Sequence, residues 1–226
     1  NATGTSVTMS KGTVFTTTVE NTSYQYVTNS DVTITPSSGV YKFSSVPIYE
    51  GSLVTFKYTV DINDVDQKFI IPSANADTST ILVKIQNSST DTTTNTYSLA
   101  GGYNGVDASS KVYFIQEGQD GKYEVYFGDG VNGKSLADGN IVILEYIVTN
   151  KDVSNSASSF TLSGNIGGFS DVTITTISSS QGGSESETNE SIKHNAPLQY
   201  AAQDRAVTTT DYETLVQSIY PNALSV

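Results

Sequence analysis

Residues 123–149 place two different strand patterns on either side of a glycine-rich loop, and that arrangement restricts the chain to a β architecture. Tyr123, Val125 and Phe127 alternate with Glu124 and Tyr126, the period of a strand with one wet face. Residues 141–148 are instead apolar on both faces apart from Glu145, which predicts a strand covered on both sides at the centre of a sheet. Gly128, Gly130, Gly133 and Gly139 lie between them and suit a tight, irregular loop.

The same loop matches a nucleotide-binding pattern, with Gly128, four residues, then Gly133-Lys134-Ser135. That pattern holds phosphate only where a strand leads in and a helix leads out, because the helix N-terminal amides form the cradle. Leu136 to Asn140 are all that separate Ser135 from the next strand, Asp138-Gly139-Asn140 reads as a turn, and Asp129 adds negative charge where phosphate would sit. A structured hairpin loop without a cofactor is the expectation.

Composition narrows the function classes. The chain of 226 residues has no cysteine and a single histidine, His194, so disulfide frameworks, thiolate metal sites and the usual catalytic triads lack their parts. Carboxylate pairs are the remaining catalytic option, and none is singled out; no catalytic, cofactor or metal residues are assigned. A net charge of −12 argues against nucleic acid, whose phosphates are met by Lys and Arg. No apolar run approaches the roughly 18 residues of a membrane span, so no membrane partner is expected. Serine and threonine exceed a quarter of the residues and Tyr outnumbers Phe by 14 to 8, a composition suited to sheets with a solvated face. The start at Asn1, without a methionine, is expected of a fragment of a longer protein.

Along the chain, Val7 to Met9 and Thr13 to Thr17 predict an opening pair of short strands across a Lys11-Gly12 turn. Tyr24 and Tyr26, Val32 and Ile34, and Tyr41 and Phe43 continue the strand alternation, and Val54, Phe56, Tyr58 and Val60 form a clear amphipathic strand. Asp61, Asn63, Asp64 and Asp66 crowd the next turn, but Asp66 and Pro72 stand where a calcium loop needs Gly and Glu, so a solvated turn is expected. Phe69 to Ile71 and the alternating Ile81, Val83 and Ile85 follow, with 87–96 read as a polar loop. Residues 111–116 are expected to pair with 123–127 through Gly118-Gln119-Asp120-Gly121 and to continue to 141–149 as a three-strand meander. Phe160 and Leu162, then Val172, Ile174 and Ile177, predict the last strands, and 178–187 reads as a linker.

Beyond the linker the period changes. Tyr212, Leu215, Val216 and Ile219 fall at helical spacing and make a candidate interaction helix, with Thr210 and Glu213 as its capping box and Pro221 as its stop. A shorter helix near 187–194 is expected to end by Pro197. The stripe must pack on the sheets, on further chain, or on a partner. His194 has no second ligand nearby in sequence and reads as a surface or capping residue. The sequons at Asn1, Asn21, Asn87 and Asn189 are unsurprising in so Ser/Thr-rich a chain. The fold class is thus mainly β with a small α part: antiparallel β-sandwich-like domains followed by a short C-terminal helical segment.

Gly12-Thr13-Val14-Phe15-Thr16-Thr17, Tyr49-Glu50-Gly51, 126–134, Gly182-Gly183-Ser184-Glu185-Ser186-Glu187, Asn195-Ala196-Pro197 and 205–213, in that order, resemble the baseplate J-like family. Within it, the likeness is greatest to the large ring-forming baseplate wedge proteins of contractile-tailed phages. The resemblance implies a structural role with no active site to carry over. Copies would join as homo-oligomers into a ring around the tail hub, contact other wedge and hub proteins, and rearrange on contraction, in a virion baseplate assembled in the host cytoplasm. It also implies that 35–150 is a β-domain inserted into a first β-domain of 1–34 plus 151–180, with 181–226 as linker and helical segment. A surface adhesin or glycan-binding β-module is the competing reading of the same polar, Tyr-rich sheets.

Overall fold

β12 (Ile141–Val148) is the strand around which the larger sheet is built. Apolar on both faces, it runs antiparallel between β6 (Ser52–Thr59) and β8 (Ala76–Gln86) and buries Val142, Leu144, Tyr146 and Ile147 almost completely. The computed structural model describes residues 4–102, 104–203 and 205–219. They form two compact units, divided between Gly183 and Ser184.

The larger sheet has seven strands in the order β6-β12-β8-β9-β10-β11-β7, with β7 at Phe69–Ile70, β9 at Thr94–Leu99, β10 at Val112–Glu117 and β11 at Tyr123–Phe127. It curls until its two edges meet. The Tyr58 hydroxyl of β6 donates to the Ile70 carbonyl of β7 at 2.6 Å, and the Tyr58 and Phe69 rings pack edge to face at 5.6 Å. Inside, Phe69, Phe127 and Tyr97 continue the edge-to-face chain over Ile71, Val83, Val125 and Leu144.

The expected hairpin of β10 and β11 forms, with Ile115 opposite Val125, but the expected meander does not. β11 pairs with β7 on its other side, and β12 lies elsewhere in the sheet. The physical reason is that β12 needs a strand on each flank. The glycine-rich loop, tied down by Gly133 N–H to the Asp107 carbonyl and Lys134 N–H to the Ser110 carbonyl, carries the chain past β10 to reach that position. β9 replaces part of the expected polar loop. Its one deeply buried side chain is Tyr97, too little apolar signal to read as a strand. It also pairs parallel to β10, an exception in an otherwise antiparallel fold. Where β12 and β8 slip register after Glu145, Thr80 Oγ1 accepts the Ile147 amide at 3.1 Å and so satisfies a buried donor.

A second core lies beside the first. Its four-stranded sheet runs β13-β2-β3-β5, with β2 at Val14–Val19, β3 at Thr22–Val27, β5 at Tyr49–Glu50 and β13 at Thr161–Ser163. β1 (Val7–Met9) pairs with β4 (Val32–Ile34) and not with β2, so the expected opening pair is corrected: each strand finds a partner further along the chain. Val7, Met9, Phe15, Tyr26, Ala157 and Ile166 are buried here, with Tyr41, Phe43, Phe160 and Ile174 packed against them. The expected strands at 41–43 and 172–177 form no ladder. Ser45, at φ 54°, and Pro47, without an amide hydrogen, interrupt the first. The second leaves Val172 and Ile177 exposed and runs instead to Ser180, which exchanges backbone bonds with Ser156 and Ala157.

In the second unit α1 (Asn189–Ala202) packs against α2 (Thr209–Ile219). α1 passes through Pro197, contrary to expectation. A proline mid-helix forfeits one hydrogen bond, but the helix is capped at both ends and buries Ala202. Thr188 Oγ1 accepts the Ser191 amide, Glu187 accepts from Ser191 Oγ and Asn195 Nδ2, and the left-handed Gln203 returns its amide to the Gln199 carbonyl. The capping box of α2 is also shifted. Asp211 accepts the Val207 and Thr208 amides while its own amide reaches Thr208 Oγ1, whereas the Thr210 carbonyl accepts from Thr214 inside the helix. Three consecutive threonines offered several frames, and the short Asp side chain selected the earliest. Pro221 lies outside the described residues.

Candidate functional site

The candidate interaction helix presents its stripe unevenly. Tyr212 is 56% and Ile219 66% exposed, Leu215 and Val216 are half-buried, and the most buried described position of α2 is Thr214, which lies outside the stripe. Val207 and Tyr200 stand exposed in the same unit. His194 is exposed on α1. Among the described residues, no group of His, Asp and Glu side chains could hold a metal ion, and no helix is long and apolar enough to cross a membrane.

The motif-bearing loops turn their polar groups inward. In the glycine-rich loop, Asp129 Oδ1 accepts the Val131 and Asn132 amides at 2.9 and 2.8 Å, and these two amides hold its carboxyl below the usual range. Gly130 N–H bonds the Gly133 carbonyl and Gly133 N–H the Asp107 carbonyl. The amides that would cradle a phosphate are therefore already bonded, and strand β12 follows where a P-loop has a helix. The aspartate-rich turn behaves alike: Asp61 Oδ1 accepts from Asn63 and Asp64 Oδ1 from the Asp66 amide, as short polar side chains do when they cap their own turn.

The two β cores meet at a junction made by Tyr49-Glu50-Gly51. Glu50 Oε2 accepts from Thr149 Oγ1 at 2.7 Å and from the Asn150 amide at 2.8 Å, and Oε1 accepts from Asn150 Nδ2 at 2.7 Å. The chain thus passes into and out of the seven-stranded sheet through one carboxylate. Gly51, at φ 117°, donates to the Gln25 carbonyl, and any Cβ there would overlap the Val148 carbonyl. A second bond spans the cores. Lys11, in the turn between β1 and β2, reaches Glu145 of β12 at 2.6 Å, and Lys84 of β8 holds the other carboxylate oxygen at 3.0 Å. Burial, the largest single influence on the Glu145 carboxyl, pushes it upward, but the hydrogen bonds and charges of both lysines outweigh it and hold it below the usual range. Asn155 clasps Gly183 through paired amide bonds, and a Cβ on Gly183 would overlap the Lys151 carbonyl, so the end of the first unit is tied back to the junction.

Tyr49-Glu50-Gly51, Gly182-Gly183 and 126–134 are therefore occupied in joining and closing β elements. The sequence marks these motifs, but it shows Lys11 only as a turn residue and Glu145 only as an exception in an apolar strand, and it singles out neither Lys84 nor Asn150 for a role; the lone acid was the one signal that Glu145 needed a cation.

In comparison with known proteins, residues 55–160 match the family model described as the third domain of bacteriophage baseplate wedge protein gp6. Baseplate wedge protein gp6 of Enterobacteria phage T4 is 24% identical over 238 residues, an alignment covering 93% of this chain and 34% of the relative. The chain is thus similar to phage baseplate wedge protein gp6 and spans about a third of the length of that curated relative.

Proposed function

We propose that this chain is the β-rich part of a phage baseplate wedge protein and that its role is mechanical and non-enzymatic. The observation that carries the reading is the match over 55–160, which falls on the seven-stranded sheet and runs past its junction with the second core. In this proposal the parent protein sits in the virion tail baseplate after assembly in the host cytoplasm. Copies contact one another and other wedge and hub proteins to form the inner ring, and that ring rearranges on contraction. Segments 1–34 and 151–180 act as one β-domain with 35–150 inserted into it, the insertion first lending β5 to that domain's sheet and entering the seven-stranded sheet at β6, while Tyr212, Leu215, Val216 and Ile219 supply an assembly contact. Fastened β cores and a separate helical unit fit a ring whose parts stay stiff while their interfaces change.

The test removes the gene from its phage and examines lysates by electron microscopy. Heads without attached tails, or isolated wedges that fail to close into a baseplate, are expected. Complete contractile particles that only adsorb poorly would overturn the reading in favour of an adhesin.

A further inference from the structure

The chain contains two Asn-Gly pairs, Asn104-Gly105 and Asn132-Gly133, and the fold treats them oppositely. Intramolecular deamidation at such a pair needs the glycine amide nitrogen free to reach the asparagine side chain, which is why glycine, with no Cβ in the way, favours it. At 132–133 that nitrogen is unavailable. Gly133 is buried, its N–H donates to the Asp107 carbonyl at 3.0 Å, its Cβ position is crowded by Val112 and Gly128, and the Asn132 backbone N–H donates to Asp129 Oδ1. At 104–105 both residues are exposed, a Cβ on Gly105 would meet nothing within 4 Å, and among the described residues nothing accepts a hydrogen bond from the Gly105 amide.

We infer that Asn104 is a site of spontaneous modification to aspartate and isoaspartate, while Asn132, in the same Asn-Gly pair, is protected by the fold. The Gly105 nitrogen, deprotonated, attacks the Asn104 Cγ. The new N–Cγ bond closes a five-membered imide, and the side-chain nitrogen leaves as ammonia after taking up a proton. Water then opens the ring at Cγ, giving aspartate with its normal peptide bond, or at the Asn104 main-chain carbonyl, giving isoaspartate, in which that carbonyl becomes the free carboxylate and the peptide link runs through Cγ. No electrons are transferred, and the net change is exchange of the amide for a carboxylate. Each event adds a negative charge to a chain already at −12, in the segment that leads to Asp107 and Ser110, the anchors of the glycine-rich loop.

The experiment incubates the folded protein in mildly alkaline buffer, digests samples over time, and follows by mass spectrometry the gain of about one mass unit in the peptides bearing Asn104 and Asn132, with isoaspartyl methyltransferase labelling to identify the product. A parallel incubation in denaturant removes the fold. Because Asn132 reacts only after its loop opens, conversion at Asn104 is expected to be at least about tenfold faster in the folded protein, and the difference should disappear in denaturant. Equal rates in the folded protein, faster conversion at Asn132, absence of conversion at Asn104, or a preference that persists in denaturant would overturn the inference.

Discussion

Glu145 concentrates the residue-scale problem of this fold: one carboxylate in an otherwise apolar strand, neutralised by a lysine from each of two cores. Its carboxyl is depressed in the folded state, so its contribution to stability is complete above the ordinary carboxylate range and is lost as pH falls through the folded-state value. Replacing Glu145 with Gln leaves two lysines without their shared partner and is expected to cost about 1–2 kcal/mol at neutral pH, less than a fully buried pair because all three side chains retain some water. The difference in melting temperature between parent and variant should shrink as the solution is acidified. A difference constant from neutral to acid pH would show that packing, not charge, is what the carboxylate supplies. The exception in the strand pattern was legible in the sequence, but its partners were not, because Lys84 and Lys11 lie 61 and 134 positions away and only the strand order brings them together.

At the scale of elements, legibility followed apolar content. β12 and β6 announced themselves by pattern, and β12 is central as expected. β9 did not, since Tyr97 alone carries its inward face, and the partners of β1 and β11 depended on long-range pairing that periodicity does not encode. α2 was legible from its apolar spacing and α1 only as a shorter helix stopping by Pro197, and helix ends were misjudged where proline and a threonine run offered competing signals. The exposed part of the α2 stripe has a direct consequence. Replacing Tyr212 and Ile219 together with serine should change stability by no more than about 0.5 kcal/mol, as surface substitutions do. If the stripe is an assembly contact, each of these side chains is worth roughly 1.5–3 kcal/mol when covered, so sedimentation should report weakened self-association or weakened binding to tail proteins. Loss of thermal stability with association unchanged would assign the stripe to the interior of its own unit.

For the molecule as a whole, the path of force is determined by where the chain crosses into the seven-stranded sheet and where it crosses back out. The strand arriving at Gly51 and the segment leaving at Asn150 are joined by Glu50, and β13 returns to pair directly with β2. Tension applied between residue 4 and residue 183 therefore passes across the four-stranded sheet and the Glu50 carboxylate, and the larger sheet hangs outside that line as an unstressed loop of chain. Pulled in an optical trap, the smaller sheet should yield first. The hundred or so residues between those crossings should then lengthen in a separate later step of roughly 340 Å. A step of that length as the first event would mean that the larger sheet lies in the line of tension. On this geometry the largest folded element would keep its shape while the structure around it is strained, as a weight pinned beside a rope stays still when the rope goes taut.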